Sequence, residues 1–140
     1  MQFRNFKNKY FVRIDRGEEI ISSLKNLCES EKITLAEVKA LGAVDDFTVG
    51  LFDTKEKKYH SNTFKFPAEI TSLWGTVTTM DGKFYAHLHM SAADKEGKVW
   101  GGHLNSAVVS ATCEMIVEKV PDGVVERKFS DEIGLNLFEF

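Results

Sequence analysis

From Leu35 to Val120 the chain is a succession of short segments in which apolar residues alternate with polar ones or form brief runs. Such segments are typical of β-strands, because successive side chains of a strand point to opposite faces of its sheet. The breaks between the segments are turn formers, including Asp81-Gly82, Lys95-Glu96-Gly97 and Pro121-Asp122-Gly123. Short strands joined by tight turns restrict this region to a mainly antiparallel sheet.

The N-terminal region adds one strand and one helix. The stretch from Lys9 to Arg16 mixes aromatic and β-branched residues with charges, which predicts a half-buried strand. After Gly17, helical spacing relates the apolar residues Ile20, Ile21, Leu24, Leu27 and Cys28. The expected fold class is therefore α+β, a mainly antiparallel β-sheet of seven or eight strands with one clear N-terminal helix. Near the C-terminus, a short second helix starting at Ser130 and a final strand in GLNLFEF are both open.

Length and composition favour one domain over residues 1–140. The chain has 140 residues and is 43% hydrophobic, enough for a core that needs no disulfide or metal to hold it. Cys28 and Cys113 are far apart and lack CxxC spacing, so reduced thiols and a cytoplasmic location are expected. We expect no signal peptide and no membrane span, because no run approaches the ~18 apolar residues that a span requires.

The charge of the chain argues against a dedicated nucleic-acid surface. Lys and Arg together number 18 against 21 Asp and Glu, a formal net charge of -3, and only four of the basic residues are Arg. Proteins that bind nucleic acid chiefly through phosphate contacts present a basic patch or stripe. The basic residues near the N-terminus fit the solvated face of a strand.

Three of the four histidines lie in the segment FYAHLHMSAADKEGKVWGGHL. In a strand, one face would carry the apolar residues Phe84, Ala86, Leu88, Met90 and Ala92. The opposite face would carry Tyr85, His87, His89 and Ser91, and so would present two imidazoles two residues apart. This spacing suits a metal ion that takes two nitrogen ligands from one strand.

The predicted hairpin turn at Lys95-Glu96-Gly97 brings a third imidazole, that of His103, to the same face. If Lys95, Glu96 and Gly97 form a three-residue hairpin loop, Asp94 opposes Lys98 and the ladder places His89 opposite His103. Opposed side chains on one face have Cβ atoms roughly 4.5–5.5 Å apart, so His87, His89 and His103 could converge. A slip of one residue would turn His103 to the core face instead. The adjacent Gly101 and Gly102 indicate a bulge or a close approach of another backbone or of a ligand.

Three imidazoles without a thiolate favour Zn²⁺, although Cu, Fe and Ni also accept such ligands. Three protein ligands would leave one position open for water, as in catalytic zinc sites. The alternative is that the histidines pack in a polar subunit interface. The sequence places none of Glu69, Asp94 and Glu114 beside the metal as an acid or base. His60, in the charged stretch KEKKYHSN, is interpreted as a polar residue on an exposed face.

The order LGAVDDFTVGLFD, then PAEITSLWGTVTTMDGKFYAHLHMSAADKEGKVWGGHL, then CEMIVEKV resembles the plants-and-prokaryotes conserved (PPC) domain in its stand-alone prokaryotic form. The resemblance runs from about Tyr10 to Val120, and its most specific parts are EITSLWGTV, the HLH strand and GGHL. It implies an α+β domain that assembles as a homotrimer, with metal ligands, generally to zinc, at His87, His89 and His103. Plant relatives bind DNA through AT-hook motifs, whereas this chain has no Arg-Gly-Arg-Pro element.

Three functions follow as hypotheses. The first is a homotrimeric zinc-binding module for assembly or regulation through protein contacts, with Phe3, Phe6, Phe138 and Phe140 as candidate interface residues. The second is a zinc-dependent hydrolase that uses a metal-bound water. The third is a DNA-associated regulator, which would bind duplex DNA with a steep dependence on salt.

Overall fold

The computed structural model describes all 140 residues as nine β-strands and one α-helix, which confirms the α+β class and exceeds the expected seven or eight strands. The helix is α1 (Ile20–Ser30). The strands are β1 (Gln2–Phe6), β2 (Lys9–Asp15), β3 (Ala36–Asp53), β4 (Lys58–Phe64), β5 (Ala68–Met80), β6 (Lys83–Ala93), β7 (Val99–Lys119), β8 (Glu126–Ser130) and β9 (Leu135–Glu139).

Four antiparallel pairings close a ring of strands around the core. Strand β3 pairs with β5, β5 with β6, β6 with β7, and β7 returns to β3. The inner face of this ring carries buried apolar side chains such as Leu73, Leu88 and Met115. Strand β2 extends the sheet from β7, β1 from β2, and β4 from β3. The outer face of the ring is therefore the surface on which polar side chains can meet.

The single helix lies where the apolar spacing predicts it. Ile20, Leu24, Leu27 and Cys28 are buried, and the helix packs against β6 and β7. The carboxylate of Glu19 caps the N-terminus by accepting hydrogen bonds from the backbone N–H groups of residues 21 and 22. The helix thus buries its apolar side against β6 and β7.

At the two ends of the chain the structure adds a strand and decides between the alternatives left open at the C-terminus, where the final strand in GLNLFEF is confirmed. The short second helix starting at Ser130 is wrong, because Ser130 ends β8 and residues 131–134 form a turn that Gly134 closes at φ 86°. The backbone N–H of Gly134 donates to the carbonyl of Ser130 at 2.7 Å, and the alternating residues that follow form β9. Strand β1 is an addition, since Lys7 adopts a positive φ of 62° and turns the chain back to pair with β2.

The structure places both cysteines in the core as free thiols. Cys28 and Cys113 are buried free thiols, and burial raises the pKa of each to about 12. Neither is therefore a reactive thiolate at neutral pH. The one helix of the structure is too short to cross a membrane.

Candidate metal centre

Strand β6 separates apolar from imidazole side chains by simple alternation. Leu88, Met90 and Ala92 are buried in the core, whereas none of the three clustered histidines is buried. His87 and His89 point to the outer face because they alternate with these core residues. The assignment of faces predicted from the sequence is confirmed.

The hairpin turn between β6 and β7 sets the register that brings in the third histidine. The Asp94 carboxylate accepts hydrogen bonds from the backbone N–H groups of Glu96 at 3.0 Å and Lys98 at 2.9 Å. Gly97 has a φ of 79°, in the left-handed region that glycine adopts without strain. With the turn held in this way, His89 lies opposite His103, as the predicted register requires.

The three imidazoles converge on one point of the outer face. Their ring centroids are separated by 5.3 Å for His87 and His89, 5.2 Å for His87 and His103, and 5.7 Å for His89 and His103. One ring nitrogen from each lies within 4.8 Å of the others, and no other such group of three His, Cys, Asp or Glu residues occurs. The arrangement is suited to hold a single metal ion with three nitrogen ligands.

The glycine pair before His103 permits close approach of neighbouring backbones. A Cβ atom on Gly102 would lie 2.6 Å from the carbonyl oxygen of Gly50 on β3. A Cβ atom on Gly101 would lie 2.8 Å from the carbonyl oxygen of Met90 on β6. The expectation of a close backbone approach is confirmed, and it allows His103 to sit between β3 and β6.

Partial burial and mutual repulsion favour the neutral form of His87 and His103. Burial lowers the pKa of His87 to about 4, with further lowering by His103, Arg127 and His89. Burial, together with the neighbouring imidazole of His89, also lowers the pKa of His103. Since a metal binds the neutral imidazole, the fold already holds these two side chains in the form that a metal ion requires at neutral pH.

Tyr59 from β4 borders the cluster on the β3 side. Its hydroxyl donates to Oδ1 of Asn105 at 2.7 Å, and its ring stands perpendicular to that of His103 at 6.2 Å. The tyrosine crosses the face at Gly50, where a Cβ would collide with the phenol. Sequence reasoning missed this neighbour, because only the pairing of β4 with β3 brings it near His103.

Arg127 from β8 borders the cluster on the β5 side. Its guanidinium lies 4.8 Å from the ring centroid of Tyr85, the residue two positions before His87 on the same face. Asn136 of β9 donates to the hydroxyl of Tyr85 at 3.3 Å. The C-terminal hairpin, β8 and β9, therefore comes close to the histidine face, although no sequence pattern indicated it.

The other residues considered from the sequence do not join the cluster. The carboxylate of Asp94 is used in the turn, Glu69 lies at the far end of β5 opposite Ala93, and Glu114 lines a separate groove. His60 is exposed on β4, with Nε2 at 3.8 Å from a carboxylate oxygen of Glu56. The candidate metal centre thus consists of three imidazoles and no carboxylate.

Comparison with solved structures places the fold among known relatives. A metal-containing protein from Archaeoglobus fulgidus shares 32% identity, with a TM-score of 0.90 over 99% of this chain and 97% of that one. A plant- and prokaryote-conserved protein from Pyrococcus horikoshii shares 32% identity and has a TM-score of 0.88, covering 99% and 95%. A protein from Bacteroides thetaiotaomicron, named as a candidate DNA-binding protein, shares 29% identity with a TM-score of 0.95, covering 99% and 96%.

Among curated proteins, the bifunctional protein GlmU of a Synechococcus strain is 28% identical over 115 residues, 81% of this chain. The chain spans only 17% of the length of that relative, so the similarity concerns one part of a larger protein. The model of the Plants and Prokaryotes Conserved domain matches residues 1–121. That span contains the three histidines, the ring of strands and the helix, and the chain belongs to this family, as the sequence motifs predicted.

Proposed function

We propose that this protein is a homotrimeric zinc-binding module that serves assembly or regulation through protein contacts. The observation that carries the proposal is the convergence of His87, His89 and His103, whose ligand atoms lie within 4.8 Å of one another on an accessible face. A metal-containing relative at 32% identity supports the same interpretation.

The donor set fits zinc. Three neutral imidazoles are common zinc ligands, and the low pKa of His87 means that no proton has to leave it at neutral pH. When bound, the metal would supply a Lewis acid and a cross-link between β6 and β7. The turn at Asp94 holds the two strands in register before any metal is present.

Elemental analysis of untagged protein tests the zinc site. Wild type should contain about one zinc per chain, and the double variant His87→Ala/His89→Ala should contain none. His60→Ala is the matched control, since it removes an exposed histidine outside the cluster and should leave the zinc content unchanged. Equal zinc content in all three proteins, or none in wild type, would contradict the proposal.

The proposed self-association has a suitable surface on the outer face of β2, β3 and β7. A groove of about 520 Å³ is lined by Phe11, Ala40, Leu41 and Ile116 among others, and Phe11 and Leu41 are at least half exposed. Arg13, Lys39 and Glu114 line it as well, so it carries both signs of charge. An apolar face with both signs of charge at its rim suits contact with another copy of the chain.

Sedimentation equilibrium of wild type beside Leu41→Glu tests this interface. Wild type should sediment with the mass of a trimer, and a buried, unpaired glutamate at the interface should dissociate it. Leu51→Glu, on the tip of β3 and 68% exposed, is the control that should leave the mass unchanged. A monomeric wild type would remove trimer formation from the proposal.

A zinc-dependent hydrolase is the second candidate, because three protein ligands leave room for a substrate or water on the metal. The absence of a carboxylate from the cluster favours binding over hydrolysis. A screen with ester, phosphoester and amide substrates would favour the hydrolase if a rate appeared and was lost both in His103→Ala and after chelation.

DNA association is the third candidate, and the name of the Bacteroides relative favours it. The net charge of -3 favours the protein-contact role instead. Binding to duplex DNA that weakens steeply with salt would support the DNA-associated regulator. No binding at low salt would exclude it.

A further inference from the structure

Arg127 is a buried cation without a counter-ion. Its side chain is 7% exposed, and its hydrogen bonds go to neutral oxygens, from Nε to Oγ1 of Thr78 at 2.8 Å and from Nη1 to the carbonyl of Asn136 at 2.9 Å. Nη2 is buried and has no partner. The rings of Tyr85 and Phe138 lie over the guanidinium at 4.8 and 4.4 Å. No carboxylate forms an ion pair with it.

This environment is unusual for an arginine. Buried charges in proteins are normally paired, and an unpartnered donor of a charged group is costly to leave in a protein interior. The guanidinium presents a planar fork of donors that matches the two oxygens of a carboxylate or phosphate. The unpartnered Nη2 therefore belongs to a donor fork whose chemistry suits an oxyanion.

Arg127 lies on the same face of the sheet as the histidines, beside the cross-strand pair next to the one that contains His87. Thr78, which accepts from Arg127, pairs with Tyr85, and the next outward pair along these strands is Thr76 with His87. Two residues along a strand correspond to about 7 Å. The strand positions therefore place the guanidinium about one such step from the histidine cluster.

The charges around the cluster favour an anion. Three neutral imidazoles would leave the full charge of a divalent metal uncompensated, and Arg127 adds a further positive charge nearby. Glu37, on β3 in the same cross-strand row as His87, already accepts from the indole of Trp74 at 3.1 Å and from Lys39 at 3.4 Å. Phe138, which covers one side of the guanidinium, is 44% exposed and lies outside the hydrophobic core.

We infer that Arg127 binds the oxyanion group of a small carboxylate or phosphate ligand that occupies the metal face. The inference rests on the proposed function, because it assigns a ligand class to the same site. Arg127 also lies beyond the residues that match the family model, in the C-terminal hairpin of this chain.

Isothermal titration calorimetry of the zinc-loaded protein tests the inference, with inorganic phosphate and succinate as separate probes at constant ionic strength. One of the two should bind saturably at one site per chain, and the identity of that probe distinguishes a phosphate ligand from a carboxylate ligand. Arg127→Gln should weaken binding about ten- to hundredfold, the loss expected for hydrogen bonds to a charged group. Arg127→Lys keeps the positive charge but lacks the planar fork of donors, so its affinity should lie between those of wild type and Arg127→Gln.

Arg16→Gln is the matched control, because it removes the same charge from an exposed position. Equal weakening in the Arg16 and Arg127 variants, or no binding of either probe, would overturn the inference. Zinc content and a thermal melt of each sample show whether the variants are folded and loaded. A wild type without zinc would refute the proposed metal site separately, and titration of that metal-free protein would still test the affinity difference at Arg127.

Discussion

Two antiparallel hairpins of this protein are attached to the core differently. The histidine hairpin consists of β6 and β7, and the C-terminal hairpin consists of β8 and β9. In β6 of the histidine hairpin, Leu88 is 1% exposed and Ala92 is not exposed at all, so one whole face is in the core. In the C-terminal hairpin, Phe129 is 53% exposed and Leu137 is 41% exposed, and Arg127 is the one buried side chain. Polar contacts, such as that between Thr79 and the carboxylate of Glu126 at 2.7 Å, attach this second hairpin.

This difference explains why the histidine side chains on β6 are placed accurately. A slip of one residue in β6 would move every core side chain to the surface, so the hydrophobic effect holds the histidines in register. The C-terminal hairpin has no such constraint, since one parallel bridge, Thr79 with Glu126, and polar side-chain contacts join it to the sheet. Its exposed apolar side chains are therefore available for other contacts.

The largest expected effect comes from truncating a core residue of the first hairpin. Leu88→Ala should lower the free energy of unfolding by about 2–5 kcal/mol, because it removes buried apolar surface and leaves a cavity. Leu137→Ala, the same change on the second hairpin, should stay within about 0.5 kcal/mol. Urea denaturation measures both values, and similar losses would show that the two hairpins are equally anchored.

The next effect concerns removal of the metal. With free zinc about 1,000-fold above its Kd, binding should stabilise the folded chain by about 4 kcal/mol. Chelation should therefore lower the thermal midpoint of wild type and of His60→Ala, and should leave His87→Ala/His89→Ala unchanged. Differential scanning calorimetry measures the midpoints, and a chelator effect in the double variant would place the metal elsewhere.

Deleting β9 should have a smaller effect. A chain that ends at Gly134 loses the Phe138 ring over Arg127 and the Asn136 carbonyl that accepts from Arg127, but no core residue, so the unfolding free energy should fall by about 1–3 kcal/mol. Zinc content should not change. Analytical ultracentrifugation should still give the trimer mass, which would remove Phe138 and Phe140 from the interface. A lower mass would instead assign them to it.

The smallest effect concerns acid stability of the metal-free protein. Because the folded pKa of His87, about 4, lies below the unfolded value of 6.5, the unfolded state binds more protons between these values. Stability should be fully present above pH 6.5 and should decline as the pH falls toward 4. Thermal midpoints of wild type and His87→Gln across this range should show the steeper decline in wild type, and parallel curves would contradict the assignment.

Local chemistry made much of the candidate centre predictable. Alternation along β6 assigned the faces, and the sequence Asp94 to Lys98 indicated a turn that places His89 opposite His103. Both features depend on residues close together in sequence, where side-chain period and turn geometry leave few alternatives. The helix starting at Ile20 was predictable for the same reason.

The missed neighbours all depend on contacts between distant parts of the chain. Tyr59 reaches Asn105 across 46 positions, and Arg127 reaches Thr78 across 49. Nothing in the segments around Tyr59 or Arg127 distinguishes these side chains from ordinary surface residues. The sequence left a short helix at Ser130 and a final strand in GLNLFEF open, because local propensity there was weak, and the pairing of β8 with β9 decided for the strand.

The sequence by itself determined the family, the fold class and the three imidazoles with their register, because these follow from periodicity, turn chemistry and motif order. Only the tertiary structure decided what surrounds them. The closed ring of strands and the docked C-terminal hairpin bring Tyr59 and Arg127 to the histidine face. The physical reason is that such contacts form only when the whole sheet closes, and no short stretch of sequence contains that information.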